Sequence, residues 1–161
     1  MDNIQVRKAK SEDLESILFL SDQLTHSDLP YDKDVDIEWA HTEKGKQCYA
    51  NKINGENGIC FVAECNSKIV GYATAAIKEV SLYRLVKVAE LENFVVDKDM
   101  RHKGVGKELL DYFIQWAKEI GADRASASVF TSNEKGIAFY EREGFATYDT
   151  TLELSLKSNN Q

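Results

Sequence analysis

The chain has 161 residues, which is the usual length of one domain and is enough to bury a hydrophobic core. Hydrophobic residues make up 43% and charged residues 29%, with one proline, so the composition argues against disordered, collagen-like and disulfide-scaffold classes. The net charge of −7 repels phosphate backbones, and we therefore predict a single domain over residues 1–161 without a nucleic-acid partner.

The first part of the chain predicts one strand and two helices. Apolar and polar side chains alternate at its start, as in a half-buried strand, and Ser11 followed by Glu12 and Asp13 is typical of a helix start. The predicted elements are a strand over Ile4–Ala9, a helix from Ser11 to the His26-Ser27-Asp28 break, and a more polar helix from Ile37 to Ile53.

The rest of the chain predicts strands and two further helices. Asn66 and Ser67 separate two β-rich runs and indicate a hairpin, and a regular apolar stripe that ends at Gly121 indicates the strongest helix. The predicted elements are strands over Ile59–Glu64, Lys68–Val80 and Leu85–Val96, a helix over Gly104–Ile120, a strand over Arg124–Phe130, a helix from Ser132 or Asn133 to Gly144, and strands over Phe145–Tyr148 and Thr151–Leu156. This order predicts a mixed α/β fold.

The cysteines and the apolar runs bear on the compartment. Cys48, Cys60 and Cys65 form an odd set without Cys-x-x-Cys spacing, which indicates neither a zinc site nor a disulfide framework. The N-terminus lacks the pattern of an export signal, and no apolar run approaches the roughly 18 residues of a membrane span. We therefore expect a cytoplasmic protein without a membrane partner.

A basic loop with two glycines, Arg101-His102-Lys103-Gly104-Val105-Gly106, precedes the strongest predicted helix. A helix N-terminus carries unpaired N–H groups and partial positive charge, and glycines let the backbone approach a ligand, so the loop favours a phosphate or pyrophosphate group. Two common phosphate-binding motifs do not fit. The dinucleotide fingerprint needs glycine at position 109, which is Leu109. The P-loop needs glycine at position 101 and Ser or Thr at position 108, which are Arg101 and Glu108. A glycine-containing turn without a ligand is the alternative.

A second motif, NEKGIAFYEREGF, covers Asn133–Phe145. Together with Arg-x-x-Gly-x-Gly after a strand, it resembles the GNAT superfamily of acyl-coenzyme A-dependent N-acetyltransferases. The resemblance runs from Val6 to about Leu156, and only the region Thr25–Asn57 shows no family signature. It implies the GNAT fold, a central, splayed, mostly antiparallel sheet flanked by helices.

The resemblance also implies acetyl-coenzyme A as cosubstrate, in an opening between the strand that ends at Val96 and the strand Arg124–Phe130. In such proteins the pantetheine amides pair with the free strand edge, the pyrophosphate meets backbone N–H groups of the glycine loop, and an asparagine reaches the cofactor arm. The residues assigned in this way are Phe94, Val95, Val96, Arg101, His102, Lys103, Gly104, Val105, Gly106, Lys107 and Asn133.

The strand before the loop supplies the candidate base. Alternation assigns Glu90, Glu92, Phe94 and Val96 to one face and Leu91, Asn93 and Val95 to the other. Acyl transfer needs a neutral amine, so a carboxylate that accepts a proton, directly or through water, is useful. Glu92 is the first candidate, because the Leu91-Glu92-x-Phe94 run resembles polyamine acetyltransferases of the superfamily, in which a glutamate there serves acceptor binding or deprotonation. Two solvated charges on an edge strand are the alternative.

Tyr140 is the candidate acid. It lies seven residues after Asn133, about two helical turns, so both side chains can point the same way from one helix. The resemblance implies a position near the sulfur of coenzyme A, where a phenol can protonate the leaving thiolate. A core tyrosine at helical spacing is the alternative.

Acidic residues at Asp32, Asp34, Asp36 and Glu43 imitate the spacing of an EF-hand loop. The position at which that loop needs glycine is Ile37, so calcium is not expected. A solvated acidic face and the attraction of a cationic amine are the two other interpretations. The three histidines show no ligand spacing, and we expect no metal.

The motifs and the resemblance together predict transfer of an acetyl group from acetyl-coenzyme A directly to a primary amine, on a small molecule or a protein. A non-catalytic acyl-coenzyme A sensor that keeps the cofactor cleft is the alternative from another class, followed by a structural interaction protein without a cofactor. The motifs do not specify the acceptor. Many members of the family are dimers, and the resemblance alone suggests a homodimer.

Overall fold

The computed structural model describes residues 3–157, and the chain divides into two compact units, Met1–Phe130 and Thr131–Gln161. The strands of the described residues are β1 (Ile4–Lys8), β2 (Ile59–Cys65), β3 (Lys68–Lys78), β4 (Val88–Val96) and β5 (Arg124–Ala127), and the helices are α1 (Leu14–Asp28), α2 (Glu43–Ile53), α3 (Val105–Glu119) and α4 (Glu134–Arg142). The predicted mixed α/β class is confirmed. None of these four helices has both the length and the apolar character needed to cross a membrane.

The first unit contains one five-stranded sheet in the order β1-β2-β3-β4-β5. Its first four strands are antiparallel neighbours, and β5 runs parallel to β4. The predicted β2–β3 hairpin is confirmed, because Asn66 and Ser67 form its turn with φ values of 50° and 63°. Two successive left-handed residues match the right-handed twist of the strands that they join.

The sheet opens between β4 and β5. Pairing joins Val88–Leu91 to Arg124–Ala127 and stops there, whereas β4 continues along β3 as far as Val96. The strand Arg124–Phe130 is therefore shorter than predicted, and β4 begins at Val88 rather than at Leu85. The splayed, mostly antiparallel sheet implied by the family resemblance is confirmed.

An extra residue in β4 lies at the point where the sheet opens. Leu91 pairs with Ala75 and Asn93 pairs with Thr74, so Glu92 stands between them without a partner in β3. Neighbouring residues of β3 face opposite sides of the sheet, and their partners Leu91 and Asn93 must do so as well. Glu92 is thus the inserted residue of a β-bulge.

The bulge makes the predicted alternation along β4 wrong. Glu90 pairs with Ala76 and Phe94 pairs with Ala73, so these two residues lie on opposite faces rather than on one. Glu90 shares the face of Asn93, whose amide donates to Thr74 Oγ1 at 3.0 Å. A single inserted residue reverses every later side chain, and the sequence of β4 alone does not mark it.

Three of the four predicted helices are confirmed, with ends shifted by a few residues. A short 3-10 turn over Ser11–Asp13 leads into α1, and α3 occupies Val105–Glu119 of the predicted range 104–120. The side chain of Asn133 caps α4 by accepting the Gly136 N–H at 3.0 Å.

The helix predicted from Ile37 to Ile53 is wrong in its first third. Turns and a 3-10 helix over Trp39–His41 occupy that part, and α2 begins only at Glu43. Thr42 is extended, and its hydroxyl accepts the Gly45 N–H at 2.9 Å. A threonine N-cap therefore decides where the helix starts, in place of the apolar pattern.

The two strands predicted near the C-terminus, Phe145–Tyr148 and Thr151–Leu156, are not formed. The second segment alternates as a strand should, but the apolar side chains of Leu152, Leu154 and Leu156 are 91%, 82% and 89% exposed. Alternation gives a segment one apolar face, but a strand also needs a neighbouring strand with which its backbone can form hydrogen bonds.

A buried cluster packs α1 and α2 against one face of the sheet. Its members include Ile17, Leu18, Leu20, Tyr49, Cys60, Val62, Tyr72 and Val95. The Tyr49 hydroxyl shares hydrogen bonds with Ser21 Oγ at 2.8 Å and with Tyr72 Oη at 3.1 Å. Burial raises the pKa of both tyrosines, and their mutual bonds replace those lost to water. This polar chain fixes α2 to α1 and to β3.

Arg7 joins β1 to two other segments of the same unit. Its guanidinium nitrogens lie 2.7 and 2.9 Å from the two oxygens of Asp13, and one of them lies 3.0 Å from Glu64 Oε2. Asp13 is buried and also accepts the Lys10 N–H at 2.7 Å. The hydrogen bonds from Arg7 hold the pKa of Asp13 below its usual value, against the opposing effect of burial.

We expect Asp13→Asn to lower the free energy of unfolding near pH 7 by roughly 1.5–3 kcal/mol, because charge-assisted hydrogen bonds are lost. The folded-state pKa of Asp13 lies below the unfolded one, so its stabilisation is complete above the unfolded pKa and is lost as the pH falls through the folded value. The difference between the two proteins should therefore shrink below about pH 4. Urea unfolding across this range measures it, and a difference of undiminished size near pH 2 would contradict the assignment.

Candidate functional site

The open edge of β4 is the first component of the site. Phe94, Val95 and Val96 lie beyond Leu91, where the pairing with β5 has ended. Val95 is buried in the cluster with α1, and Phe94 and Val96 are half-buried. A strand edge that no neighbouring strand covers can accept an extended, amide-containing ligand as an added strand.

The glycine loop follows this edge directly. After a 3-10 helix over Lys98–Met100, His102 adopts a φ of 61° and Gly104 a φ of 87°, and these two left-handed residues turn the chain into α3. Residues 101–104 are exposed, whereas Val105 is buried and anchors the start of the helix. The loop thus joins the open strand edge to a helix N-terminus within one short segment.

The N-terminus of α3 presents backbone donors. Gly104 is its N-cap, and the Glu108 N–H donates to Gly104 O at 3.1 Å as the first bond of the helical ladder. The N–H groups of the preceding turn, including those of Val105 and Gly106, take no part in that ladder. Together with the helix dipole they suit a phosphate group.

Gly71 of β3 allows α3 to lie this close to the sheet, and the sequence analysis missed it. A Cβ at this position would be 2.9 Å from Val95 O, 3.0 Å from Leu109 Cδ1 and 3.3 Å from Val105 Cγ1. Only glycine leaves room for the first turn of α3 against β3 and β4. A glycine inside an apolar strand was the available signal, because it often marks a close approach.

The loop carries three basic side chains, and a fourth, Lys107, follows it in the first turn of α3. Arg101 Nε donates to Val96 O at 3.4 Å, and the ammonium of Lys107 pairs with Asp111 one turn along α3 at 3.0 Å. His102 and Lys103 are exposed beside them. Exposed pairs of this kind contribute little stability, so a phosphate group can compete for these cations.

The carboxylates of Glu90 and Glu92 each have a counter-ion. Lys52 of α2 places its ammonium 2.5 Å from Glu92 Oε2, and Lys78 of β3 lies 3.1 Å from Glu90 Oε1. Each carboxylate thus has a lysine as its neighbour. The sequence analysis missed Lys52 as the ion-pair partner of the candidate base, since forty positions separate it from Glu92 and no local pattern connects them.

The second unit holds the other two predicted residues, Asn133 and Tyr140. Asn133 accepts the N-capping hydrogen bond of α4, and Tyr140 follows in the same helix. The ring of Tyr140 contacts those of Phe139 and Phe145 edge-on, with centroids 5.2 and 5.3 Å apart. Burial raises the pKa of Tyr140 to about 12, so its hydroxyl keeps its proton throughout the neutral range.

The acidic stretch after α1 forms turns. Asp32 Oδ1 accepts the Asp34 N–H at 2.9 Å, and no cluster of three metal-ligating side chains occurs within residues 3–157. Burial, and secondarily the charge of Asp32, raises the pKa of Asp28. Next to these carboxylates, Tyr31 stacks on Phe130 with centroids 5.4 Å apart. The stretch therefore joins negative charge to an exposed aromatic pair.

Comparison with known protein families matches this architecture. The model of the acetyltransferase (GNAT) family matches residues 13–145. That range spans most of the chain and includes both the glycine loop and the second motif. The chain therefore belongs to the GNAT family of acetyltransferases.

Curated relatives are similar over part of their length. An uncharacterised N-acetyltransferase of Methanocaldococcus jannaschii is 36% identical over 90 residues, which are 56% of this chain and 39% of that protein. The ribosomal protein bS18-alanine N-acetyltransferase of Escherichia coli is 30% identical over 91 residues, which are 56% of this chain and 57% of that protein. The match therefore spans less than two thirds of either relative.

Solved structures share the fold over nearly the whole chain. A Bacillus halodurans protein has a TM-score of 0.81 at 21% identity, covering 95% of this chain and 99% of that chain. The aminoglycoside N-acetyltransferase AAC(6')-Iy, solved in complex with CoA, has a TM-score of 0.77 at 17% identity, covering 96% and 95%. At these identities the likeness concerns the fold alone.

We expect Gly106→Ala to weaken coenzyme A binding by about tenfold or more, because the added methyl group crowds the approach of pyrophosphate oxygens to the backbone. Gly104→Val adds strain, since its φ of 87° disfavours a side chain. Alanine suits a helix better than glycine does, so the melting temperature of Gly106→Ala should not fall. Calorimetric titration measures the affinity, and unchanged binding by both folded variants would contradict the prediction that the glycine loop binds the pyrophosphate.

Proposed function

We propose that the protein is an N-acetyltransferase that moves an acetyl group from acetyl-coenzyme A directly to a primary amine. The observation that carries the proposal is the continuity of the open β4 edge with the glycine loop and the N-terminus of α3. This arrangement offers an edge for the pantetheine amides and backbone donors for the pyrophosphate within one run of chain. Membership of the GNAT family supports the same cosubstrate.

The cosubstrate would lie along Phe94, Val95 and Val96, with its pyrophosphate at the loop that runs from Arg101 to Lys107. Asn133 would reach the cofactor arm and Tyr140 its sulfur, as the family motif implies. The match of the family model to residues 13–145 crosses both compact units, which supports one domain over the whole chain. For the assembly, the family resemblance favours a homodimer, which sedimentation equilibrium measures.

The proposed reaction needs one base and one acid. The amine nitrogen attacks the thioester carbonyl carbon, and Glu92 takes the proton that the amine loses, directly or through water. The carbon–sulfur bond of the tetrahedral intermediate then breaks, and Tyr140 donates its proton to the leaving thiolate. Because the pKa of Tyr140 is about 12, the phenol is protonated at the start of each cycle.

A cationic amine is the proposed acceptor class. Its support is the acidic stretch between α1 and α2, which lies beside the stacked Tyr31 and Phe130 in a chain of net charge −7. The relatives differ in acceptor: one is named for aminoglycosides and another for an alanine of ribosomal protein bS18. Both present amines, which agrees with amine acetylation while leaving the particular molecule to experiment.

The direct test incubates the purified protein with acetyl-coenzyme A and a panel of amines, and measures release of free thiol. The panel should include polyamines, aminoglycosides, amino acids and peptides with free N-termini. We expect turnover with at least one cationic amine. Coenzyme A binding without thiol release on any amine would instead identify an acyl-coenzyme A sensor, and failure to bind coenzyme A would contradict both functions.

Glu92→Gln should lower kcat/KM for the acceptor and change the acid limb of the pH–rate profile, because the base is removed while the side-chain shape is kept. The affinity for coenzyme A should remain within about twofold. Glu90→Gln on the same strand is the matched control. Full activity of the Glu92 variant together with a loss in the Glu90 variant would transfer the role to Glu90.

Tyr140→Phe should lower kcat by about 10²- to 10⁴-fold, the usual contribution of a positioned acid, while the ring packing against Phe139 and Phe145 is preserved. Coenzyme A affinity and melting temperature should be almost unchanged. Tyr148→Phe in the same unit serves as the control, since its side chain is 73% exposed. Turnover of Tyr140→Phe within about threefold of wild type, less than 1 kcal/mol, would make Tyr140 a packing residue.

A further inference from the structure

Lys52 is a buried cation in the last turn of α2. Its side chain is only 11% exposed, and its ammonium lies 2.5 Å from Glu92 Oε2 and 2.6 Å from Asn57 O. A lysine is rarely buried to this extent, because an ammonium leaves water at a high cost unless anions and carbonyls surround it. The two oxygen partners provide that surrounding.

The turn between α2 and β2 is shaped around this ammonium. Asn57, whose carbonyl accepts from Lys52, has a φ of 57°, and Gly58 follows with a φ of 136°. A Cβ on Gly58 would lie 2.9 Å from Lys52 Nζ and 2.2 Å from Ala75 O. Backbone strain of this kind persists only where the surroundings hold it in place.

The helix that carries Lys52 is itself held rigidly. Tyr49 precedes Lys52 by three residues, so the two side chains share one face of α2. The Tyr49 hydroxyl shares hydrogen bonds with Ser21 of α1 and Tyr72 of β3. Lys52 therefore reaches Glu92 from an anchored helix rather than from a flexible surface.

Glu92 needs such a support because it is the bulge residue of β4. It has no partner in β3 and lies one residue beyond the end of pairing with β5. Its side chain is 34% exposed, so packing alone leaves several rotamers open to it. An ion pair through Oε2 restricts the carboxylate and leaves Oε1 with its own acceptor capacity.

We propose that Lys52 is a positioning residue, which holds the carboxylate of Glu92 at the open edge of β4 so that its other oxygen meets the acceptor amine. The proposal rests on the proposed acetyltransferase function. A salt bridge that served the fold alone would also tie α2 to β4, so the test must measure the reaction as well as the stability. The Lys78–Glu90 pair provides the comparison, since it joins a lysine to the same strand.

The experiment is a double-mutant cycle on the full chain, with Lys52→Met, Glu92→Gln and the combined variant. We expect Lys52→Met to lower kcat/KM for the acceptor by about 10- to 100-fold, the effect of a displaced catalytic group, with the KM for acetyl-coenzyme A within about twofold. In the Glu92→Gln background the same substitution should have no further effect. Lys78→Met should leave the acceptor kinetics unchanged.

Rescue by another cation separates positioning from packing. Lys52→Arg should recover kcat/KM to within about threefold of wild type, because the guanidinium keeps the positive charge and the N–H donors that Glu92 Oε2 accepts. If Lys52→Met melts below the assay temperature, Lys52→Gln replaces it, since its amide can still donate to Asn57 O. Circular dichroism melts of every variant establish which comparisons are valid.

The outcomes distinguish the two hypotheses. A wild-type protein that acetylates no amine defeats the proposed function itself. If the wild type is active, full activity of folded Lys52→Met or Lys52→Gln overturns the positioning role. A further loss of about tenfold when Lys52→Met is added to Glu92→Gln also overturns it. The same holds if folded Lys52→Arg is as impaired as Lys52→Met.

Discussion

The difference in length between two neighbouring strands organises this molecule. β5 pairs with β4 over four residues and stops, while β4 runs on for five more, from Glu92 to Val96. An open strand edge can pair with an added extended segment through its backbone N–H and C=O groups. We propose that this opening receives the extended arm of the cosubstrate. The bulge at Glu92 lies where the opening begins.

Two close contacts place the remaining components around that opening. On one face of the sheet, the absence of a side chain at Gly71 lets the first turn of α3 approach β3 and β4. The glycine loop, which joins β4 to α3, is thereby held close to the open edge. On the other face, the Ser21–Tyr49–Tyr72 chain anchors α2, and α2 carries Lys52 to the carboxylate at the bulge. The contacts that pack α2 and α3 against the sheet therefore also position the residues around the opening.

Periodicity predicted the elements wherever the local pattern and the tertiary environment agree. The apolar stripe of α3, the Asn66-Ser67 turn and the Asn133 cap each act within a few residues, so the chain itself contains the determining information. The pattern failed where a single residue or a distant neighbour decides. Thr42 delays the start of α2, and the alternating leucines of 151–156 have the period of a strand without forming one. Alternation also failed along β4, because an inserted residue reverses faces without changing composition.

The site divides in the same way. The glycine loop and the Asn133–Phe145 motif are runs of consecutive residues, so both motifs, their order and their agreement with the GNAT family follow from the amino-acid sequence. Three features depend on how distant segments pack: the end of the β4–β5 pairing, the bulge at Glu92, and the contact of Lys52 with Glu92. Caps, turns and helical stripes depend on interactions between residues within about four positions of one another, so the local sequence contains them. Strand register and a buried ion pair depend on packing between segments that are far apart in the chain, which no local pattern records.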